Sequence, residues 1–134
     1  MKAVALTDTG NIHGCHEFYK YCKEAGVKPI LGAEVFVVSA LDPKLSHTLV
    51  LLAKSLKGYK NILKIVSTGS LDNPGQTPKV EFSMMEELKK QTESNDLEII
   101  CLSGSSNSEI AYYILSGKTD TEIVSRIKMY QELF

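Results

Sequence analysis

The sequence predicts an α/β protein with a mainly parallel sheet and alternating helices. Short apolar runs of strand length recur along the chain, among them Ala3-Val4-Ala5-Leu6, Val35-Phe36-Val37-Val38 and Leu49-Val50-Leu51-Leu52. Between them lie segments whose apolar residues repeat every three or four positions, as the buried stripe of a helix does. Glycine, proline and capping residues separate the two kinds of segment. Such alternation builds a sheet with crossover helices.

Ala3 to Leu6 reads as a buried strand, and Asn11 or Thr9 as the cap of a helix running from about residue 13 to Ala25. Cys15, Phe18, Cys22 and Ala25 form its core stripe, and Gly26 sits where a left-handed C′ residue ends a helix. Pro29 precedes Ile30-Leu31, the run Val35 to Val38 is a strand, and Asp42-Pro43 marks a turn. His47 to Ala53 is the next strand. Tyr59, Ile62, Leu63 and Val66 mark one face of a helix over Gly58 to Ser67, and Thr68 to Pro78 reads as a loop. Three capping boxes follow, Ser83-x-x-Glu86, Ser106-x-x-Glu109 and Thr119-x-x-Glu122, each offering a hydroxyl and a carboxylate to orphaned backbone N–H groups. Leu97 to Leu102 is a strand between the first two. Gly117 ends the second of these helices, and Ile123, Ile127, Tyr130 and Phe134 line the last.

With 134 residues the chain has one domain's worth of sequence, enough for a real core. A formal net charge of −1 supplies no long-range field to hold it on a phosphate backbone, which disfavours a free-standing nucleic-acid binder. Three cysteines cannot all pair within one chain, which suits a reducing compartment. The start shows no signal peptide, and no apolar run reaches the roughly 18 residues of a membrane span. The expectation is a soluble, cytoplasmic protein.

Few residues suggest chemistry by themselves. His13 and His16 could share a helix face near Cys15, but no C-x-x-C or H-E-x-x-H spacing supports zinc, and a solvated helix start is the plainer reading. Cys15, Cys22 and Cys101 read as core residues, since nothing in the sequence supplies a thiolate-activating partner. Ser103-Gly104-Ser105-Ser106 could present backbone N–H groups to an anion, but Ser and Gly are so common at helix starts that capping is the better reading.

Order and spacing say more. Leu6-Thr-Asp-Thr-Gly-Asn11, then Glu17-Phe18-Tyr19, then Gly26-Val-Lys-Pro-Ile-Leu-Gly-Ala-Glu34 is similar to L-T-D-H-G-N followed by E-F-Y-K-x-C-K-x-A-G-I-K-P-I-x-G-x-E. Ser46 to Lys54 followed by Gly58-Tyr59-Lys60-Asn61-Ile62 is similar to H-L-x-L-L-A followed by G-Y-x-N-L. Pro78-Lys79-Val80, Leu102-Ser103-Gly104-Ser105 with Ser108-Glu109, and Tyr130 to Phe134 extend the likeness. These segments resemble the PHP (polymerase and histidinol phosphatase) domain of the bacterial replicative DNA polymerase III alpha subunit.

That resemblance implies an incomplete PHP-type, distorted TIM-like barrel. Residues 1–134 would be a partial PHP domain truncated at both ends, without the family's opening H-x-H strand and closing D-x-H strand. It also implies four ligand positions for a divalent metal cluster of Mn, Zn or Fe that activates water. Glu34 and His47 are retained, as vestigial metal candidates. Thr9 replaces the family's His and Ser105 its frequent Cys, and neither hydroxyl is a good transition-metal ligand. Asp8 and Asn11 read as turn residues, Asp8 through an Asx-type bond. Without metal, Glu34 would cap or pair with a neighbour, and His47 would be a strand histidine bonded to backbone.

Two functions are implied. One is a module of a replicative polymerase (a DNA-directed nucleotidyltransferase, for DNA replication), not itself catalytic and needing no cofactor. It would serve as scaffold and as docking surface for the proofreading exonuclease subunit, meeting DNA only through the full polymerase and its remaining domains, and no membrane. The alternative is a metal-dependent phosphoesterase or 3'-5' exonuclease whose remaining ligands lie outside this chain.

Overall fold

Strand β1 (Ala3–Thr9) leads through a turn into helix α1 (Cys15–Glu24), and β2 (Lys28–Val38) returns beside β1. A computed structural model describes residues 1–74 and 77–134. Strand β3 (Ser46–Ala53), helix α2 (Leu56–Asp72), the two-residue strand β4 (Lys79–Val80) and helix α3 (Phe82–Lys90) follow. Strand β5 (Ile99–Leu102) and helices α4 (Glu109–Leu115) and α5 (Asp120–Leu133) complete the order.

The five strands form one sheet in the order β1-β2-β3-β5, with β4 added to β2. The mainly parallel sheet expected from the alternation is not what forms. β1 and β4 pair with β2 in parallel, but β3 runs against β2 and β5, so both of its pairings are antiparallel. The physical reason is the link from Val38 to Ser46, which is too short for the helical crossover that a parallel neighbour requires. The α/β class stands, and the sheet is mixed.

Alternation along the strands divides the sheet into two faces. Ala33, Val35 and Val37 on β2 share one face with Leu49 and Leu51 on β3, and all are buried. Ile62 and Ile65 of α2, Met85 and Leu88 of α3, and Leu133 of α5 close this core. On the opposite face, Phe36, Val38, Val50 and Leu52 stay partly exposed, while Ile100 and Leu102 are about half exposed. The opening strand is not buried as expected. Its side chains are half-buried or exposed, because β1 lies at the sheet edge.

Two glycines let elements touch. A Cβ on Gly58 would fall 2.0 Å from the Glu98 carbonyl oxygen, and one on Gly32 would fall 2.3 Å from that of Leu51. Gly26 and Gly117 end α1 and α4 at φ +68° and +69°, as the sequence suggests.

Some local expectations fail. α1 starts at Cys15 with Gly14 as its N-cap, while Asn11 closes the preceding turn by donating to the Thr9 carbonyl and accepting from His13 N–H. Phe18 is half-buried and Ala25 exposed, so Cys15 and Cys22 alone carry that stripe inward. α2 runs on to Asp72, so the predicted loop begins later, and its residues 75–76 lie outside the described residues. Of the three capping boxes, Thr119–Glu122 forms in full. α3 begins after Glu81 without a side-chain cap, and α4 is capped by Ser108 rather than Ser106.

Glu109 escapes the capping role because its carboxylate is committed elsewhere. Oε1 accepts from the Ala40 backbone N–H (2.9 Å), and Oε2 from Arg126 Nε (2.6 Å) and the Tyr130 hydroxyl (2.7 Å). Burial and then Glu109 push the Tyr130 hydroxyl well above its usual range. Burial alone would lower Arg126, and the hydrogen bond and charge of Glu109 more than offset that. The Arg126 guanidinium also sits 4.6 Å from the centre of the Phe82 ring. This knot ties α4 and α5 to α3 and to the β2–β3 turn.

Candidate functional site: a rim of hydroxyls around Glu34

β1, β2 and β5 point the same way, since β3 runs against both β2 and β5. Thr9 and Leu102, the last residues of β1 and β5, lie in one row across the sheet with Glu34, four residues before the end of β2, because Thr9 pairs with Glu34, Glu34 with Val50, and Val50 with Leu102. In α/β folds the carboxyl ends of such strands are where ligands and chemistry gather.

Thr9 and Glu34 meet there, with the Thr9 hydroxyl donating to Glu34 Oε2 at 2.8 Å. Gly10, at φ +67°, turns the chain so that its N–H donates to the Glu34 carbonyl at 2.8 Å. The side chains of Thr9 and Glu34 point to the open face of the sheet.

His47 does not join them. It pairs with Val37, three residues on from Glu34, so its side chain points to the opposite, helix-covered face. There it is buried, with its ring centroid 5.2 Å from that of Tyr112. The backbone bond expected for it is not made at Nε2, which is buried and has no partner among the described residues. The two side chains expected to anchor a metal together are therefore separated by the sheet itself.

The residue that does face the rim is Thr48. It pairs with Phe36 and so shares the face of Glu34. A Cβ built on Gly104 would lie 3.1 Å from the Thr48 hydroxyl and 2.7 Å from its carbonyl oxygen, so the loop after β5 packs directly on this threonine. Ser105 is the next residue, and its carbonyl accepts from Ser108 N–H at 3.0 Å as the chain enters α4. Thr9, Glu34, Thr48 and the Gly104–Ser105 turn thus border one end of the open face. The sequence held a signal for Thr48. Counted back from Ala53, the six-residue pattern H-L-x-L-L-A begins at Thr48 and not at His47.

Asp8 departs from its expected role. It faces α1, with its carboxylate 3.2 Å from where a Cβ on Gly14 would sit, and the turn bond belongs to Asn11. Its charge, after burial, helps push the Cys15 thiol above its usual range. Cys101 lies partly buried on the packed face, and burial raises its thiol to about 12, far from a reactive thiolate. His13 and His16 are exposed at the start of α1. Among the described residues, no three His, Cys, Asp or Glu side chains are grouped so as to hold a metal ion. None of the helices described is long and apolar enough to cross a membrane.

A sheet covered by helices on one face, with a polar row near the carboxyl ends of its parallel strands, defines an α/β layer of the kind found in open and barrel folds. The chain belongs to the PHP domain family, whose model matches residues 1–134. It is 31% identical over 143 residues to the DNA polymerase III subunit alpha of Deinococcus radiodurans, an alignment covering 98% of this chain and 10% of that protein. The subunit from Borreliella burgdorferi is 32% identical, covering 100% of this chain and 12% of the relative. That of Pasteurella multocida is 35% identical, covering 100% and 11%. The chain therefore spans about a tenth of the length of the relatives it matches. A solved structure described as a metal-dependent phosphoesterase, from Bifidobacterium adolescentis, overlays with a TM-score of 0.43 at 19% identity, over 69% of this chain and 30% of that one.

Proposed function

We propose that this chain is part of a PHP module in a bacterial replicative polymerase alpha subunit, acting as a cytoplasmic scaffold and not as a catalyst. The observation that carries this reading is the rim, where hydroxyls stand beside a single carboxylate that is already hydrogen-bonded. Similarity to alpha subunits along almost the whole chain supplies the setting. The half-exposed Ile100 and Leu102 on the open face support completion of a barrel by further strands of the same module. Its partners on this reading are the other polymerase domains and the proofreading exonuclease subunit, with DNA reached only through the whole polymerase.

Retention of Glu34 at the rim favours a second reading, a metal-dependent phosphoesterase or 3'-5' exonuclease whose other Mn, Zn or Fe ligands come from outside this chain. One experiment separates the two. The chain is mixed with the proofreading exonuclease subunit and followed by sedimentation, and separately assayed for Mn-dependent hydrolysis of a phosphate ester and of a 3'-ended single strand. Co-sedimentation without hydrolysis is expected. Hydrolysis that disappears in Glu34→Gln would replace the scaffold reading with the second one.

A further inference from the structure

We infer that three ligand positions of this rim, and not two, have been exchanged for hydroxyls, and that His47 has no part in the set. The family's histidine in H-L-x-L-L-A corresponds to Thr48, since Thr48 and not His47 shares the face of Glu34 and Thr9. The exchanged set is Thr9, Thr48 and Ser105 around Glu34.

This set does not fit a divalent transition metal. Across an antiparallel pair, Glu34 and Thr48 are diagonal neighbours, about 7–8 Å apart. An imidazole from one side and a carboxylate from the other can span that gap and meet on one ion, at roughly 2.0–2.2 Å from each. A threonine hydroxyl ends one bond beyond Cβ and falls short. Neutral hydroxyls are also poor ligands for Zn or Mn beside imidazole and thiolate. The Thr9 hydroxyl meanwhile occupies one oxygen of the remaining carboxylate. On the far side of the sheet, His47 is packed against Tyr112 with no carboxylate partner among the described residues.

The test is isothermal titration of the full chain with Zn²⁺ and with Mn²⁺. The variants are Thr9→His/Thr48→His, the same pair with Ser105→Cys, the pair with Glu34→Gln, and His47→Ala alone. The unaltered chain should show no saturable site for either ion. The histidine pair should gain one, more than roughly 100-fold tighter than any residual binding, and lose it again with Glu34→Gln. His47→Ala should titrate like the unaltered chain. Near-stoichiometric metal on the unaltered chain that weakens tenfold or more in His47→Ala would overturn the inference. So would a histidine pair that is folded by circular dichroism and still binds nothing. The inference rests on family membership and on strand register. Exonuclease docking is read by co-sedimentation, so failure of one leaves the other standing.

Discussion

The two faces of the sheet are written by alternate residues of the same strands, yet they have different fates. Val35, Val37, Leu49 and Leu51 are buried beneath the helices, while Phe36, Val38, Val50 and Leu52, one step away, remain partly exposed. Both sets are apolar. A sheet with one solvated face usually alternates apolar with polar residues, and a continuous apolar run belongs to strands covered on both sides. The middle of the open face is thus built as an interior, and polar residues such as Thr7, Ser46 and Lys79 flank it beside the Glu34 rim. The packed face carries the buried core, and the open face leaves apolar side chains exposed.

The largest expected effect lies behind the packed face. Glu109→Ala removes the partner of the buried Arg126 and should cost about 3–5 kcal/mol, read as a shift in the urea midpoint. A smaller loss would mean that water reaches the guanidinium, and that this side of the molecule is wetter than it looks.

Leu51 and Leu52 make the direct comparison. Leu51→Ala should cost about 2–5 kcal/mol as a cavity forms at a fully buried site, and Leu52→Ala roughly half of that or less. Equal losses in the two variants would erase the distinction between the faces.

A pH profile sharpens it further. The Cys101 thiol has its folded value raised from 9.0 to about 12, so the folded state keeps its proton after the unfolded state has lost it. The associated stability is complete below about pH 9 and falls as pH rises toward 12. Alkylation of Cys101 at pH 8 should therefore be slow and should track unfolding by urea. Rapid labelling of the folded chain would place Cys101 on the open side.

Two near-neutral changes complete the series. His47→Leu removes a buried nitrogen that lacks a partner, and stability should hold or rise by up to about 1 kcal/mol. Leu102→Thr on the open face should shift stability by no more than about 0.5 kcal/mol while reducing self-association in light scattering. A large stability loss from Leu102→Thr would show that the open face is covered in solution.

What could be read from the sequence followed local chemistry. Gly26, Gly117 and the Thr119–Glu122 box end or begin helices as their residue types require. Ser83 and Ser106 have the same local pattern and fail. Phe82 enters the core from the first turn of α3, Glu109 is claimed by Arg126 and Tyr130, and neither influence is local. Strand direction was legible in principle from the short Val38-to-Ser46 link, but the alternation of runs conceals it. The rim was half legible. Thr9 and Glu34 come together as the family pattern suggests, whereas the place of His47 depends on register, which composition does not reveal.

The reversed strand β3 makes chemistry at the rim a matter of parity. Thr48 and His47 are neighbours in sequence, and one faces Glu34 while the other faces Tyr112. A slip of one residue in β3, such as a single insertion or deletion in the Val38-to-Ser46 link, would exchange them and turn every other side chain of the strand over as well. In this chain the register keeps the position beside Glu34 on the open face, and the residue there is Thr48, while His47 lies behind the sheet against Tyr112. Chemistry at the rim thus depends on register and residue together, and a histidine one place from the right position contributes nothing to it.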